Sequence, residues 1–158
     1  MSPLVGALAD EATLDRDVRL AVYRVFVETG RPPTPVEIAR ELGTTVAATE
    51  SSLRRLGEAR VLVLAPGTPY VWMANPFSAI PTPFQVLAGG RAYWANCIWD
   101  ALGIPACLWA DGRIDTSCPD CSEPLTLEIR RGALRTASDA VIHFSVPAAN
   151  WWDDIGAT

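Results

Sequence analysis

The sequence predicts an α+β fold in which helices come first and a mainly antiparallel sheet follows. The first part of the chain carries apolar residues at helical spacing, from Val18 through Val22 to Phe26. The last part contains short runs in which apolar and polar residues alternate, as between Leu125 and Ile129. Prolines and glycines separate many of these runs, which predicts short elements joined by turns.

Three helices are expected before the sheet. The first covers roughly residues 15–30 and ends at a glycine. The second begins at Thr34, where Glu37 three residues later predicts a capping box that satisfies backbone amides at the helix start. The third covers roughly residues 46–59.

The expected domain organisation follows from the order of these elements. A β-hairpin is predicted after the third helix, and three helices plus a hairpin are typical of a winged helix, so residues 1–74 are interpreted as a winged-helix-like domain. Prolines and glycines in residues 75–90 predict a linker or an irregular wrapping segment. Residues 91–158 are interpreted as a second domain.

Within that second domain, one helix and several strands are expected. The helix is predicted in RAYWANCIWDALG, with Gly103 and Pro105 ending it. The strands are predicted in ACLWA, RIDTSC, LTLEIRRG, ALRTA and AVIHFSVP.

The charge of the chain argues against nucleic acid as a partner. The net charge is −5, all thirteen basic residues are arginine, and acidic residues surround Arg54, Arg55 and Arg60 near the third helix. DNA is therefore not an expected partner. No run approaches the roughly 18 apolar residues that span a bilayer, so no membrane partner is expected. The N-terminus lacks the features of a signal peptide, which predicts a cytoplasmic protein with reduced cysteines.

The residues with the clearest chemical potential are Cys97 and Asp100. Their spacing places both on one face of the expected helix. A carboxylate beside a thiol can accept the thiol proton and later return it to a leaving group. The same spacing also describes a buried cysteine beside a solvated acid, and by itself it favours that structural interpretation. Tyr93, Trp94 and Trp99 are interpreted as an apolar wall for a substrate or as core packing.

A second cysteine pair, Cys118-Pro-Asp-Cys121, has the spacing of zinc and redox sites. A structural zinc ion needs four ligands, and the chain offers no second closely spaced pair. Zinc at Cys118 and Cys121 is therefore the minority interpretation. We expect Cys118 to be packed and Cys121 to be a loop thiol, and no role is assigned to Cys107.

The stretches YWANCIWDALGIPA and RIDTSCPDCSEPLTLEI resemble the catalytic region of the alkylmercury (organomercurial) lyases. The shared features are an aromatic-rich Cys-x-x-Asp segment, a turn containing proline, and a further cysteine, Cys118, that opens a loop 21 residues after Cys97. The start of the chain and AVIHFSVP are also similar to that family.

The resemblance implies cleavage of carbon–mercury bonds by protonolysis, which yields a hydrocarbon and Hg(II). Cys97 would capture the organomercurial as a thiolate, Asp100 would transfer the proton, and both would hold Hg(II) transiently. It also implies that Cys118 is structural and that no organic cofactor is used. Cellular thiols or a mercuric reductase would accept the Hg(II).

Two differences from the family pattern keep alternatives open. The family has a second catalytic cysteine, expected beyond PAANWWDDIGAT, and the given sequence ends at Thr158, so a truncated catalytic domain or a member without that cysteine is expected. Asn96 stands where an aromatic residue is expected. The alternatives are a lyase-like fold adapted to a lyase or isomerase reaction on a small metabolite, with Asp100 as acid–base, and a metal-responsive winged-helix regulator.

Overall fold

The computed structural model of the protein describes residues 3–136 and 139–156, with backbone alone for residues 3–9. Helices come first and an antiparallel sheet follows, which confirms the predicted α+β class. The elements are α1 (Pro3–Thr29), α2 (Pro35–Leu42), α3 (Val46–Glu58), β1 (Val63–Leu64), β2 (Val71–Ala74), β3 (Phe77–Ser78), β4 (Gln85–Ala88), β5 (Arg91–Ala95), α4 (Ile98–Leu108), β6 (Gly112–Ser117), β7 (Pro124–Arg130), β8 (Ala133–Leu134) and a 3₁₀ helix at Ala148–Asp153.

Helix α2 forms as its capping signals predict, whereas α1 begins at Pro3, well before its expected start near residue 15. The Thr34 hydroxyl accepts a hydrogen bond from the Glu37 amide at 3.2 Å, and the Glu37 carboxylate accepts one from the Thr34 amide at 2.7 Å. This is the predicted capping box, and Gly43 ends α2 with a left-handed φ of 64°. Helix α3 ends one residue from the expected boundary, and the antiparallel β1–β2 hairpin follows it.

The sheet contains eight strands in the order β1-β2-β3-β5-β4-β6-β7-β8, and every neighbouring pair is antiparallel. Strands β3 and β4 lie within residues 75–90. The expectation of a linker there is wrong, because backbone pairing on both sides of β3 and β4 outweighs the local proline and glycine signals.

The helix predicted from Arg91 begins seven residues later. Residues 91–95 form β5 instead, since this segment pairs with β3 on one side and β4 on the other. Helix α4 then continues through Pro105 to Leu108, so the strand expected in ACLWA is also wrong. Pro105 is buried and packs over Gly112 at the start of β6. The absence of a side chain at Gly112 makes room for the proline ring.

The strand expected in AVIHFSVP is not formed. Residues 139–144 have no regular secondary structure and are exposed, and β8 is the last strand among the described residues. Apolar composition alone does not make a strand when no neighbouring strand pairs with it. The segment folds back over the protein through aromatic contacts. Phe144 lies 6.2 Å from Trp99 and 5.6 Å from Trp151, measured between ring centroids.

One continuous hydrophobic core joins the N-terminal helices to the sheet. Phe26 of α1 stacks on Phe77 of β3 with ring centroids 5.4 Å apart, and Phe77 contacts Tyr93 of β5 at the same distance. The Tyr93 hydroxyl donates a hydrogen bond to the Val27 carbonyl of α1 at 2.8 Å. The end of α1 is therefore packed directly against the middle of the sheet.

The arginines of the third helix and of the segment after it make intramolecular contacts. Arg55 donates two hydrogen bonds to Asp15 of α1, at 2.9 and 2.6 Å. Arg54 pairs with Glu50, and the Arg60 guanidinium lies 5.4 Å from the centroid of the Trp152 ring. Within residues 3–136 and 139–156, no helix has both the length and the apolar character needed to cross a membrane.

Replacing Gly112 by alanine should destabilise the protein, because a Cβ atom there would lie 2.4 Å from Cγ of Pro105. Overpacking of this kind costs about 1–3 kcal/mol, which chemical denaturation would measure. Gly103→Ala in α4 is the matched control. Its Cβ would meet only Pro76, at 3.7 Å, and alanine favours the helix by about 1 kcal/mol. Equal stability of the two variants would contradict the close packing of α4 on β6.

Candidate active site

Cys97 lies at the junction between β5 and α4. Its backbone is extended, with φ −147° and ψ 178°, and it occupies the N-cap position of α4. Asp100 is the third residue of that helix, and both side chains are half-buried. The expectation that both residues share the side of a longer helix is therefore wrong. They lie instead at the N-cap and N3 positions of α4, where their side chains interact across the first turn without the hydrogen bonds of a capping box.

The environment keeps the proton on the sulfur. Burial raises the pKa of the Cys97 thiol, and the negative charge of Asp100 raises it further. The backbone amides of Asp100 and Trp99 oppose this effect, although the sulfur makes no capping hydrogen bond of normal geometry. At neutral pH the arrangement favours a thiol that donates to the adjacent carboxylate.

Burial also raises the pKa of Asp100, and hydrogen bonds from Asn96 and Cys97 partly oppose this rise. A carboxyl group with a raised pKa is a better proton donor near neutral pH than an exposed aspartate. Cys97 and Asp100 can therefore pass one proton from sulfur to oxygen and then onward to a third group.

Asn96 connects Asp100 to the rest of the fold. Its Nδ2 atom lies 3.0 Å from Oδ2 of Asp100, 3.0 Å from Oδ1 of Asn75 and 3.4 Å from the Phe77 carbonyl oxygen. Its Oδ1 atom is buried and has no hydrogen-bond partner within the described part of the chain. An amide fits this position because it donates to several acceptors at once, which the aromatic residue expected there could not do.

Sequence reasoning missed two residues of this site, Asn75 and Tyr23. Asn75 precedes a cis peptide bond to Pro76, and its carbonyl accepts a hydrogen bond from the Tyr23 hydroxyl at 3.1 Å. Burial raises the pKa of Tyr23, and the charges of Cys107 and Asp100 contribute to the rise. The Asn-Pro pair marked a turn, but nothing local showed that α1 contacts this turn.

The three aromatic residues expected to bind substrate are placed differently from one another. Tyr93 is only 4% exposed and is occupied by its contacts with Phe77 and α1. Trp94 is half-buried and alternates with Tyr93 along β5, so it faces the other side of the sheet. Trp99 is 59% exposed in the first turn of α4, next to the thiol–carboxyl pair. Of the three, Trp99 lies in the same helical turn as Asp100.

Cys118 lies in the loop between β6 and β7, half-buried, and Cys121 is exposed in the same loop. A structural role for Cys118 stays a prediction. Among the described residues, no group of three or more histidine, cysteine or acidic side chains is arranged to hold a metal ion.

The fold and the site together define a class: α+β proteins in which a half-buried cysteine and an acid share the first turn of a helix that packs on an antiparallel sheet. The family model described as alkylmercury lyase matches residues 77–158, slightly more than half of the chain. The chain belongs to the alkylmercury lyase family. The matched part contains β3–β8 and α4, and therefore Asn96, Cys97 and Asp100.

A solved structure supports the same fold. The crystal structure of the mercury-bound form of MerB2 superposes with a TM-score of 0.61 at 24% sequence identity. The match covers 78% of this chain and 58% of that one, so the chain spans little more than half the length of its structural relative. No curated protein has a sequence that matches this one.

Replacing Asp100 by asparagine should stabilise the fold at neutral pH, because the variant keeps an acceptor for Asn96 and loses a carboxyl whose ionisation burial penalises. With a raised folded-state pKa, the stability that protonated Asp100 contributes is present below the ordinary value of 3.8 and lost as pH rises through the folded-state value. The difference in thermal midpoint, variant minus wild type, should increase from about pH 4 to about pH 8.

Asp115→Asn is the control with the opposite sign. Hydrogen bonds from Arg113 and Thr126 lower the pKa of Asp115, so its ionised form contributes stability that is lost as pH falls. This variant should become less stable relative to wild type as pH rises. The same trend in both variants would show that burial is not what distinguishes Asp100.

Proposed function

We propose that this protein cleaves carbon–mercury bonds of organomercurials by protonolysis. The observation that supports the proposal most directly is the contact between Cys97 and Asp100 at the start of α4, in a chain of the alkylmercury lyase family. Thiolate is the softest ligand a protein offers and mercury is a soft metal, which accounts for capture of the substrate. The carboxyl group accounts for the movement of the proton.

In the first step, an organomercurial R–Hg–X reaches Cys97. The carboxylate of Asp100 accepts the thiol proton, the sulfur forms a bond to mercury, and X leaves as an anion. The raised pKa of Cys97 means that the thiol is the resting form, so an adjacent base is needed. The raised pKa of Asp100 makes that carboxylate a stronger base than an ordinary aspartate.

In the second step, protonated Asp100 delivers its proton to the carbon atom bound to mercury. The carbon–mercury bond breaks, its electron pair goes to the new C–H bond, and R–H departs. Hg(II) stays bound to the Cys97 sulfur, with the Asp100 carboxylate available as a second ligand. A thiol from the cell, or a thiol of a mercuric reductase, then exchanges with Cys97 and removes Hg(II).

The organic group R would lie near Trp99. This side chain is exposed beside the site and is approached by Phe144 of the C-terminal segment, so two aromatic rings offer an apolar surface next to the thiol. Such a surface excludes water from the developing C–H bond without a specific shape for R.

The direct test is release of benzene from phenylmercuric acetate in the presence of excess thiol. Cys97→Ser should abolish release, because serine does not bind mercury. Asp100→Asn should lower turnover by about 10²- to 10⁴-fold, the usual loss when a general acid is removed. Cys107→Ser, with the substitution at an exposed thiol of the same helix, is the control and should keep full activity. Wild-type rates in Cys97→Ser would overturn the proposal.

Replacing Asn96 by alanine should move the acidic limb of the pH profile to higher pH. The hydrogen bond from Asn96 favours the ionised form of Asp100, so its loss raises the pKa of the carboxyl further. A higher pH is then needed before Asp100 can accept the thiol proton, which kcat/KM for benzene release measures as a function of pH. Asn75→Ala should shift the limb in the same direction by less. An unshifted limb in Asn96→Ala would contradict this role.

A further inference from the structure

The loop between β6 and β7 brings two cysteines together. The two strands are paired from Gly112↔Ile129 to Ser117↔Pro124, so the hairpin is closed by residues 118–123 alone. Two backbone hydrogen bonds fold this loop tightly. The Cys118 amide donates to the Glu123 carbonyl at 2.9 Å, and the Ser122 amide donates to the Cys118 carbonyl at 2.9 Å. Ser122 has a left-handed φ of 60°, which turns the chain back over Cys118.

The folded loop places hydrogen-bond donors next to the Cys118 sulfur. The backbone amides of Cys121 and Asp120 and the Cys121 thiol all interact with Cys118, and together they lower the pKa of its thiol. The nearby charge of Asp120 opposes the effect only in part. Both cysteines are free thiols, Cys118 half-buried and Cys121 exposed. One sulfur is thus stabilised as a thiolate, with the second in contact with it and open to solvent.

We propose that Cys118 and Cys121 form a two-thiolate site for a soft d¹⁰ cation that accepts linear S–metal–S coordination, such as Hg(II) or Cu(I). Soft thiolate ligands select such ions over harder ones. Zinc prefers four ligands, and no third metal-binding side chain joins these two among the described residues. Two ligands therefore match a two-coordinate ion better than zinc. The spacing of the pair had suggested zinc or redox chemistry, and the ligand count now favours a soft two-coordinate ion.

Binding at this site involves no oxidation or reduction. Each thiol loses one proton to solvent, and each sulfur donates an electron pair to the metal, so Hg(II) gives a neutral dithiolate and two protons. The site is formed by a different loop from Cys97 and Asp100 and needs no bond cleavage. The inference therefore stands independently of the proposed lyase reaction.

The test uses the full chain in which Cys97→Ser and Cys107→Ser leave Cys118 and Cys121 as its thiols. Titration with HgCl₂ against a competing monothiol should give one Hg(II) per chain by native mass spectrometry. The ultraviolet thiolate-to-mercury band should appear together with the loss of two reactive thiols. Adding Cys121→Ser should weaken retention by about 10²- to 10⁴-fold, since the second thiolate acts at high effective concentration. Cys121 is exposed, so its loss should leave the far-ultraviolet circular dichroism unchanged.

Further variants and other metal ions distinguish the two-thiolate site from other modes of metal binding. Cys121→Ala should show the same loss as Cys121→Ser, and Cu(I) supplied with a competing chelator should bind with the same stoichiometry. Zn(II) should be lost on dialysis from the chain that keeps both thiols. Undiminished Hg(II) retention after loss of Cys121 would overturn the proposal, as would tight Zn(II) binding or one metal ion bridging two chains. Benzene release by Cys118→Ser/Cys121→Ser, with Cys97 present, tests the lyase reaction separately.

Discussion

The candidate site depends on the junction at which β5 ends and α4 begins. Strand β5 is held between β3 and β4, and α4 packs back on β4, β5 and β6, so the residues between strand and helix have little freedom. Asn96 and Cys97 occupy this junction. Its rigidity places the sulfur at the helix N-terminus, where the first-turn amides and Asp100 both act on it. Without the pairing of β5, Asn96 and Cys97 would not be held in place.

The same junction explains why the two pKa values rise together. Half-burial penalises charge on both groups, and this effect exceeds that of the hydrogen bonds that favour ionisation, which come from the Asp100 and Trp99 amides for Cys97 and from Asn96 and Cys97 for Asp100. At neutral pH the pair therefore carries one proton, which rests on the Cys97 sulfur. Asn96 biases where that proton lies, and Asn75 fixes Asn96 from the turn before β3. The chemistry of two side chains thus depends on a network that reaches α1 through Tyr23.

Local signals in the sequence predicted the parts of the fold that local interactions determine. The capping box at Thr34 and Glu37 formed as expected, because its hydrogen bonds join residues three apart. The segment before Cys97 became a strand because β3 and β4 provide its hydrogen bonds, and no local pattern reveals such partners. Their spacing and the family resemblance made Cys97 and Asp100 candidates, yet neither revealed the geometry of their contact. Asn75 and Tyr23 were missed because they are far apart in the sequence and come into contact only in the folded protein.

The stack of Phe26, Phe77 and Tyr93 has a consequence for how the chain can be divided. The part that matches the family model begins at Phe77, whose ring stacks on Phe26 of a helix outside that part. A fragment starting there would expose this aromatic surface to water and leave β3 without β2, as an unprotected sheet edge prone to aggregation. The region defined by sequence similarity is therefore smaller than the packed unit, and the N-terminal helices cover apolar surface of the part that matches the family model.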